Sequence, residues 1–347
     1  MTDDLLGKIF YHLCEPGPLS LRRLLFVSRR FYSVAVNDAH LWTTISFDSH
    51  FARHFHQWPK QGNTFVEHCL LRSGSLALCL YIDSTDFSAY VSTFLHQPLG
   101  IFWKPEWRGL QRCTSMTLVD VGNYAASTIP EIMALFPKSL PSLQYLSLSL
   151  FVDPRDGSQF PNCPVLERVE MLSHRGPSPF WGTNFLHVTT LSFGDFTTWR
   201  EYDVTILSQF PVLHDLTLFT ERDGGPQIHR VVQSAKFKHL QILRVHGHIP
   251  SWVVSKLVAP ALKELHTKAD ADHLTSIYAL ESFEPHCQHL YALLPRPVSA
   301  KEPEWATNLS RLVQKCTRIT SLYISKWMEE DCKRFMSARD NVVLHVQ

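Results

Sequence analysis

One short hydrophobic pattern punctuates this chain. Leu143, Leu146 and Leu148 stand at intervals of three and two, and Gln144, Tyr145 and Ser147 fill the places between them. The pattern returns at Cys113, Met116 and Leu118; at Leu166, Val169 and Met171; at Val188, Leu191 and Phe193; and at Leu213, Leu216 and Leu218. It continues at Leu240, Leu243 and Val245; at Leu262 and Leu265, with Thr267 failing the last place; and at Ile319, Leu322 and Ile324. A poorer copy sits at Leu290 and Leu293. Starts lie between 22 residues apart, as from 166 to 188, and 30 apart, as from 113 to 143. Alternate residues of a strand share one side, so the last two apolar places of each unit point together into a core. A single unit cannot bury that face, whereas stacked units can, and they leave the intervening residues on an open parallel sheet. A doubly wound α/β domain, whose strands recur at similar distances, is the alternative arrangement.

Before these units the periodicity is helical. Leu5, Leu6, Ile9, Phe10 and Leu13 fall on one stripe, Thr2 can cap the start, and Asp3 and Asp4 meet the helix dipole in the first turn. Cys14-Glu15-Pro16-Gly17-Pro18 stops this helix. Ser20 opens a second helix bearing Leu21, Leu24, Leu25 and Val27, and Ser28 a third through Phe31, Val34 and Ala35. Residues Leu41 to Phe47 alternate as a short strand. Phe51, Phe55, Trp58, Phe65, Val66, Cys69, Leu70 and Leu71 predict a packed helical hinge, and Leu76, Leu78, Leu80 and Ile82 a strand. Further helices are expected at Phe87 to Leu95, Ile129 to Phe136, Tyr202 to Phe210, Gln227 to Ala235, Trp252 to Val258 and Glu304 to Cys316. A helix from Met328 to Met336 and a strand with Val342, Leu344 and Val346 would close the open end of the core.

Two resemblances arise from these residues. Asp3-Asp4-Leu5-Leu6 with Ile9, Phe10 and Leu13, then Val27-Ser28-Arg29-Arg30-Phe31-Tyr32, then Leu41-Trp42, resembles an F-box, while the tandem units resemble leucine-rich repeats. Val66 to Leu76 is similar to the segment that follows the F-box in many fungal F-box proteins. Phe151, His174, Phe196, Glu221, His248, Asp270 and Trp327 stand where the repeat family usually has Asn or Cys, so the solenoid would be irregular. The resemblance implies an α/β chain in three parts: a three-helix F-box at 1–48, a helical hinge at 49–74, and a leucine-rich repeat-like solenoid at 75–347 with a parallel concave sheet. It further implies the substrate-recognition subunit of a cullin-RING, SCF-type ubiquitin ligase. A Skp-type adaptor would be met by Leu5, Leu6, Ile9, Phe10, Leu13, Val27, Leu41 and Trp42, and through it a cullin. The concave face would hold a target protein. A repeat-based interaction scaffold outside a ligase is the alternative. On that face the stretch from Asp215 to Lys268 mixes aromatic, aliphatic and charged residues, which marks Phe219, Ile242, Arg244 and His246 as the target-binding group.

Composition narrows the partners. Hydrophobic residues make up 45% of the 347, enough for a sizeable core, and 33 basic against 32 acidic residues leave a net charge of +1. That balance argues against nucleic acid or an anionic membrane, which both call for a basic surplus. No apolar run reaches the roughly 18 residues of a membrane span. The eight cysteines form no Cys-x-x-Cys pair and read as reduced core residues, with the cytosol or nucleus as the address. Two histidine groups invite a metal reading: His50, His54 and His56, and later His266, Asp270, Asp272, His273, His286, Cys287 and His289. Neither has zinc-ligand spacing, so no metal is expected. No nucleophile elbow, phosphate loop or dinucleotide fingerprint occurs. The expectation is a protein without cofactor or catalytic residues.

Overall fold

The computed structural model describes residues 2–13, 25–48, 51, 54–55, 59–83, 91–120, 136–151, 161–175, 185–195, 207–220, 234–247, 257–268, 287–292, 309–311, 313–314, 318–336 and 342–347. The chain divides into two compact units, one of Met1–Leu166 with Ser178–Thr183, the other of Glu167–Pro177 with Asn184–Gln347.

In the first unit, α1 (Asp3–Leu13) buries Leu6 and Phe10 and leaves Leu5 and Ile9 in solvent. Helix α2 (Arg29–Asn37) starts at Ser28, whose Oγ accepts the Phe31 N–H at 3.1 Å and so satisfies one of the orphan donors of the first turn. Phe31 meets Phe10 edge to face at 5.1 Å, which locks the two helices together. A 3-10 turn (Ala39–Trp42) leads into β1 (Thr44–Phe47). Then come α3 (Pro59–Arg72), β2 (Leu78–Asp83), α4 (Val91–Phe102), the short α5 (Gly109–Arg112), β3 (Cys113–Asp120) and β4 (Tyr145–Phe151). The strands lie parallel in the order β1-β2-β3-β4. Their register aligns Ile45, Leu80, Met116 and Leu146 into one buried rung, and Phe47, Ile82, Leu118 and Leu148 into a second. Each such side chain contributes about 1.5–3 kcal/mol on leaving water.

The second unit repeats the principle. Strands β5 (Arg168–Arg175), β6 (Thr190–Asp195), β7 (Asp215–Thr220), β9 (Ile242–His246), β11 (Glu264–Lys268), β12 (His289–Ala292), β13 (Ser321–Ile324) and β14 (Val343–Val346) lie parallel in that order. Val169, Leu191, Leu216, Leu243, Leu265, Leu290, Leu322 and Leu344 align into one inner rung. The next rung contains Thr267, which is buried among apolar neighbours. Its hydroxyl donates to the Tyr291 carbonyl at 3.3 Å, so the polar group costs little there. After a turn at Lys326–Met328, α6 (Glu329–Met336) contributes Cys332 to the core, alongside Met328.

This architecture corrects the expected fold. A discrete three-helix F-box does not form: β1, which would close it, pairs residue for residue with β2 beyond α3, so the N-terminal helices merge into a parallel α/β unit. A leucine-rich repeat solenoid is likewise replaced by parallel α/β sheets with helices intermixed. The physical reason is that an interval of three and two reports only an inner-face strand, and every parallel sheet with a buried face produces it. The doubly wound alternative does not match either, because among the described strands the order within each unit follows the chain without reversal.

Local expectations are corrected too. Ala235 and Leu257-Val258, read as ends of helices, are instead β8 (Ala235–Lys236) and β10 (Leu257–Val258), a separate two-stranded parallel sheet. Helix α4 is described from Val91, runs past the expected end at Leu95 to Phe102 and carries Pro98 inside it, while Phe87 to Tyr90 lie outside the described residues. Strand β14 aligns Leu344 with Leu322, but Val343 is 57% exposed, so this strand is not enclosed. Of the expected second helix, Leu21 and Leu24 lie outside the described residues and Leu25 to Val27 form a turn; of the helix expected at Ile129 to Phe136 only Phe136 is described.

Candidate binding face

Along each strand of the second unit buried residues alternate with half-exposed ones, and the latter build a polar face. One row of that face reads Glu170, Ser192, Thr217, Arg244, His266, Tyr291, Tyr323 and His345, a single register position carried across β5, β6, β7, β9, β11, β12, β13 and β14. Its last four members are rings stacked almost flat. His266 and Tyr291 lie 3.9 Å apart at 4°, Tyr291 and Tyr323 4.2 Å apart at 8°, and Tyr323 and His345 4.3 Å apart at 10°. Neighbouring strands run about 4.8 Å apart. A planar side chain at one register position of successive strands is therefore already near stacking distance.

Charge is balanced beside the rings. Arg244 donates from Nη1 to the Asp215 carboxylate one strand over. His266 Nε2 lies 3.1 Å from Glu264 Oε2, and Arg168 donates to Glu170 at 2.7 Å. The Tyr291 phenol is held above its ordinary range, by burial first, then by the hydrogen bond and charge of Tyr323 and the charge of Glu264. Stacking covers ring faces, so what the row can offer a ligand is ring edges, phenol hydroxyls and imidazole nitrogens.

Of the residues expected to hold a target, Phe219, Ile242, Arg244 and His246 all lie half-buried on this face. The register brings Phe219 beside His246 and Ile242 beside Asp215. The aromatic row itself was not foreseen as a group. Tyr291 sits on the poorer copy of the repeat, and His345 lies beyond the last one. A test for rings at equal offset from successive inner-face positions would have found both.

The eight residues expected to meet an adaptor do not share one environment. Leu6, Phe10, Leu41 and Trp42 are core residues, whereas Leu5, Ile9 and Val27 are 49%, 39% and 60% exposed. Leu13 ends α1, its side chain lying outside the described residues. Trp42 is fixed by a hydrogen bond from Nε1 to the Ala35 carbonyl at 2.8 Å.

The described thiols are shifted away from reactivity. Burial pushes up the thiols of Cys69, Cys79, Cys113, Cys163 and Cys332, the last two to about 12. That is opposite to the lowering that makes a thiol a nucleophile. Among the described residues no three His, Cys, Asp or Glu side chains form a cluster that could hold a metal. Of the second histidine group only His266, Cys287 and His289 are described, and His54 alone of the first. No helix of the described residues is long and apolar enough to cross a membrane.

No protein-family model matches this chain, and no curated protein matches it. With the sheet topology above, this overturns the expected membership of the F-box and leucine-rich repeat families, and with it the role of substrate receptor in a ubiquitin ligase partnered by a Skp-type adaptor and a cullin.

Proposed function

We propose that the chain is a non-catalytic binding protein whose second unit holds another polypeptide against the polar face of its parallel sheet. The stacked row from His266 to His345 carries this reading. Four half-exposed rings at one register position are more than burial of the inner face requires. Tyrosines held by stacking present large amphipathic edges at low entropic cost, the property that enriches them in binding surfaces. Phe219, Ile242, Arg244 and His246 extend the same surface toward β7, with Arg244 already oriented by Asp215. The raised thiols support a role without nucleophilic chemistry, and the free cysteines support a reducing compartment, the cytosol or nucleus.

Affinity purification from the native cell with three baits tests this: the wild-type chain, a Tyr291→Ala/Tyr323→Ala variant, and a variant with Phe219, Ile242, Arg244 and His246 all replaced by Ser. At least one polypeptide is expected to be enriched by the wild type and lost from both folded variants. Retention of every enriched protein by both would end this reading.

A further inference from the structure

The first unit contains a cavity of about 430 Å³ that the binding face leaves unexplained. That volume is in the range of roughly 300–1,000 Å³ typical of small-molecule sites. One wall is apolar. Trp42, Phe55 and Phe65 line it, and the rings of Phe55 and Phe65 lie 5.6 Å apart, so these surfaces are already packed in place.

The other wall is basic and comes from a single stripe of α3. Lys60, Thr64, His68 and Arg72 follow one another at intervals of four, which puts all of them on one side of the helix, and all four line the cavity. Among the described residues that line the cavity there is no carboxylate. The Arg72 guanidinium lies over the Trp42 ring, 4.8 Å from its centroid, and the hydrogen bond from Trp42 to Ala35 fixes that ring. One side of Arg72 is thus held by a cation–π contact. Its Nη1 is buried and has no hydrogen-bond partner among the described residues. A buried donor without an acceptor is unfavourable, and a guanidinium nitrogen carries positive charge as well. An acceptor that meets the guanidinium from the cavity is best negatively charged.

We infer that this cavity binds a small amphipathic carboxylate, its head taken by Arg72 with His68 one turn away, Lys60 adding positive charge farther along the stripe, and its flat or aliphatic body laid against Trp42, Phe55 and Phe65. A carboxylate suits the planar fork of Arg72, and the aromatic wall supplies the apolar contact. The basic stripe and the aromatic wall line the same cavity, so only a ligand with both characters uses the whole site.

Calorimetric titration of the full chain with 2-naphthoate, and separately with the neutral isostere 2-naphthamide, tests the inference. Naphthoate should bind saturably at one site, with the amide weaker by about tenfold or more, as loss of a charged hydrogen-bond partner implies. Arg72→Gln should weaken naphthoate about tenfold without changing amide binding. Since Arg72 also packs on Trp42, the exposed pair Lys60→Gln/His68→Gln provides a second charge-removing variant whose folding does not depend on that contact, and it too should weaken naphthoate. The Tyr291→Ala/Tyr323→Ala variant should bind naphthoate as the wild type does, which separates this site from the face of the second unit. Absence of saturable naphthoate binding, equal affinity for acid and amide, or full affinity in both charge-removing variants would overturn it.

Discussion

The ring of Phe219 on β7 lies over Gly194 on β6, the residue opposite it in the register. A Cβ at position 194 would stand 2.7 Å from Cζ of that ring and closer still to Cδ2 and Cε2. Glycine here makes room for a neighbour's ring; it does not serve a turn. Gly194→Ala should therefore displace Phe219 and cost about 1–3 kcal/mol, the usual penalty of overpacking. Urea unfolding checks it. Adding Phe219→Ala should recover most of the loss, and an additive double variant would show that the ring is not what excludes a side chain at 194.

Arg112 links three stretches of the first unit. Its Nε donates to the Leu76 carbonyl at 2.9 Å, Nη1 to the Leu70 carbonyl at 3.3 Å, and Nη2 to Ser73 Oγ at 2.6 Å. The residue is only 9% exposed, and burial lowers its pKa from the ordinary guanidinium value. It ties the C-terminal end of α3 to the start of β2. Arg112→Met removes the donors while keeping much of the volume, and should cost about 3 kcal/mol by stranding buried acceptors. Arg112→Lys should recover only part, because an ammonium cannot reproduce the fork. A thermal shift of under 1 °C for Arg112→Met would contradict this account.

The inner face of both sheets was legible along the chain, and the reason is local. Leu146 and Leu148, or Leu216 and Leu218, alternate with polar residues because the strand itself alternates, and no distant partner is needed to read that. Ser28 was legible as a helix cap for the same reason. What lay beyond reach depends on register and on contacts across sequence. Tyr291 and Tyr323 stand 32 residues apart, and only the pairing of His289 with Ser321 brings their rings into line. Arg72 meets Trp42 across 30 residues, and neither neighbourhood hints at the other. The N-terminal stripe of Leu5, Leu6, Ile9 and Phe10 was read as an adaptor-binding helix because an amphipathic pattern says that a face is covered and leaves open by what. Half of that stripe is buried within the first unit itself.

Alkaline pH should destabilise the protein. Cys163 has its pKa pushed up by burial from 9.0 to about 12, and Tyr81 is raised from 10.0 to about 12 by burial and by the Asp83 carboxylate. Both groups are neutral when protonated, so above pH 9 the unfolded chain loses protons that the folded chain retains. Their contribution is complete below the unfolded values and is lost as pH rises from about 9 toward 12. The urea midpoint should be flat from pH 7 to 8.5 and fall beyond it, with a shallower fall in Cys163→Ala. A midpoint unchanged to pH 10.5 would contradict these thiol and phenol environments.

The stacked row should contribute stability as a chain of pairs, with its middle worth more than its end. Tyr323 touches a ring on both sides, Tyr291 at 4.2 Å and His345 at 4.3 Å, whereas His345 has one ring partner in the row. Aromatic pairs contribute about 0.5–1.5 kcal/mol each beyond their buried area, so Tyr323→Ala should cost about twice as much as His345→Ala. Tyr323→Phe keeps both stacks and should cost little. It also removes the hydroxyl that, after burial, raises the Tyr291 phenol, so in a spectrophotometric titration one tyrosine should move down toward the ordinary value. The two readouts separate stacking from hydrogen bonding: alanine loses stability, and phenylalanine keeps it while shifting the titration. Equal stability losses for Tyr323→Ala and His345→Ala, or a Tyr323→Phe titration identical to wild type, would mean that the rings lie side by side without acting as one row. The polypeptide-binding face would then have to be sought among Phe219, Ile242, Arg244 and His246 alone.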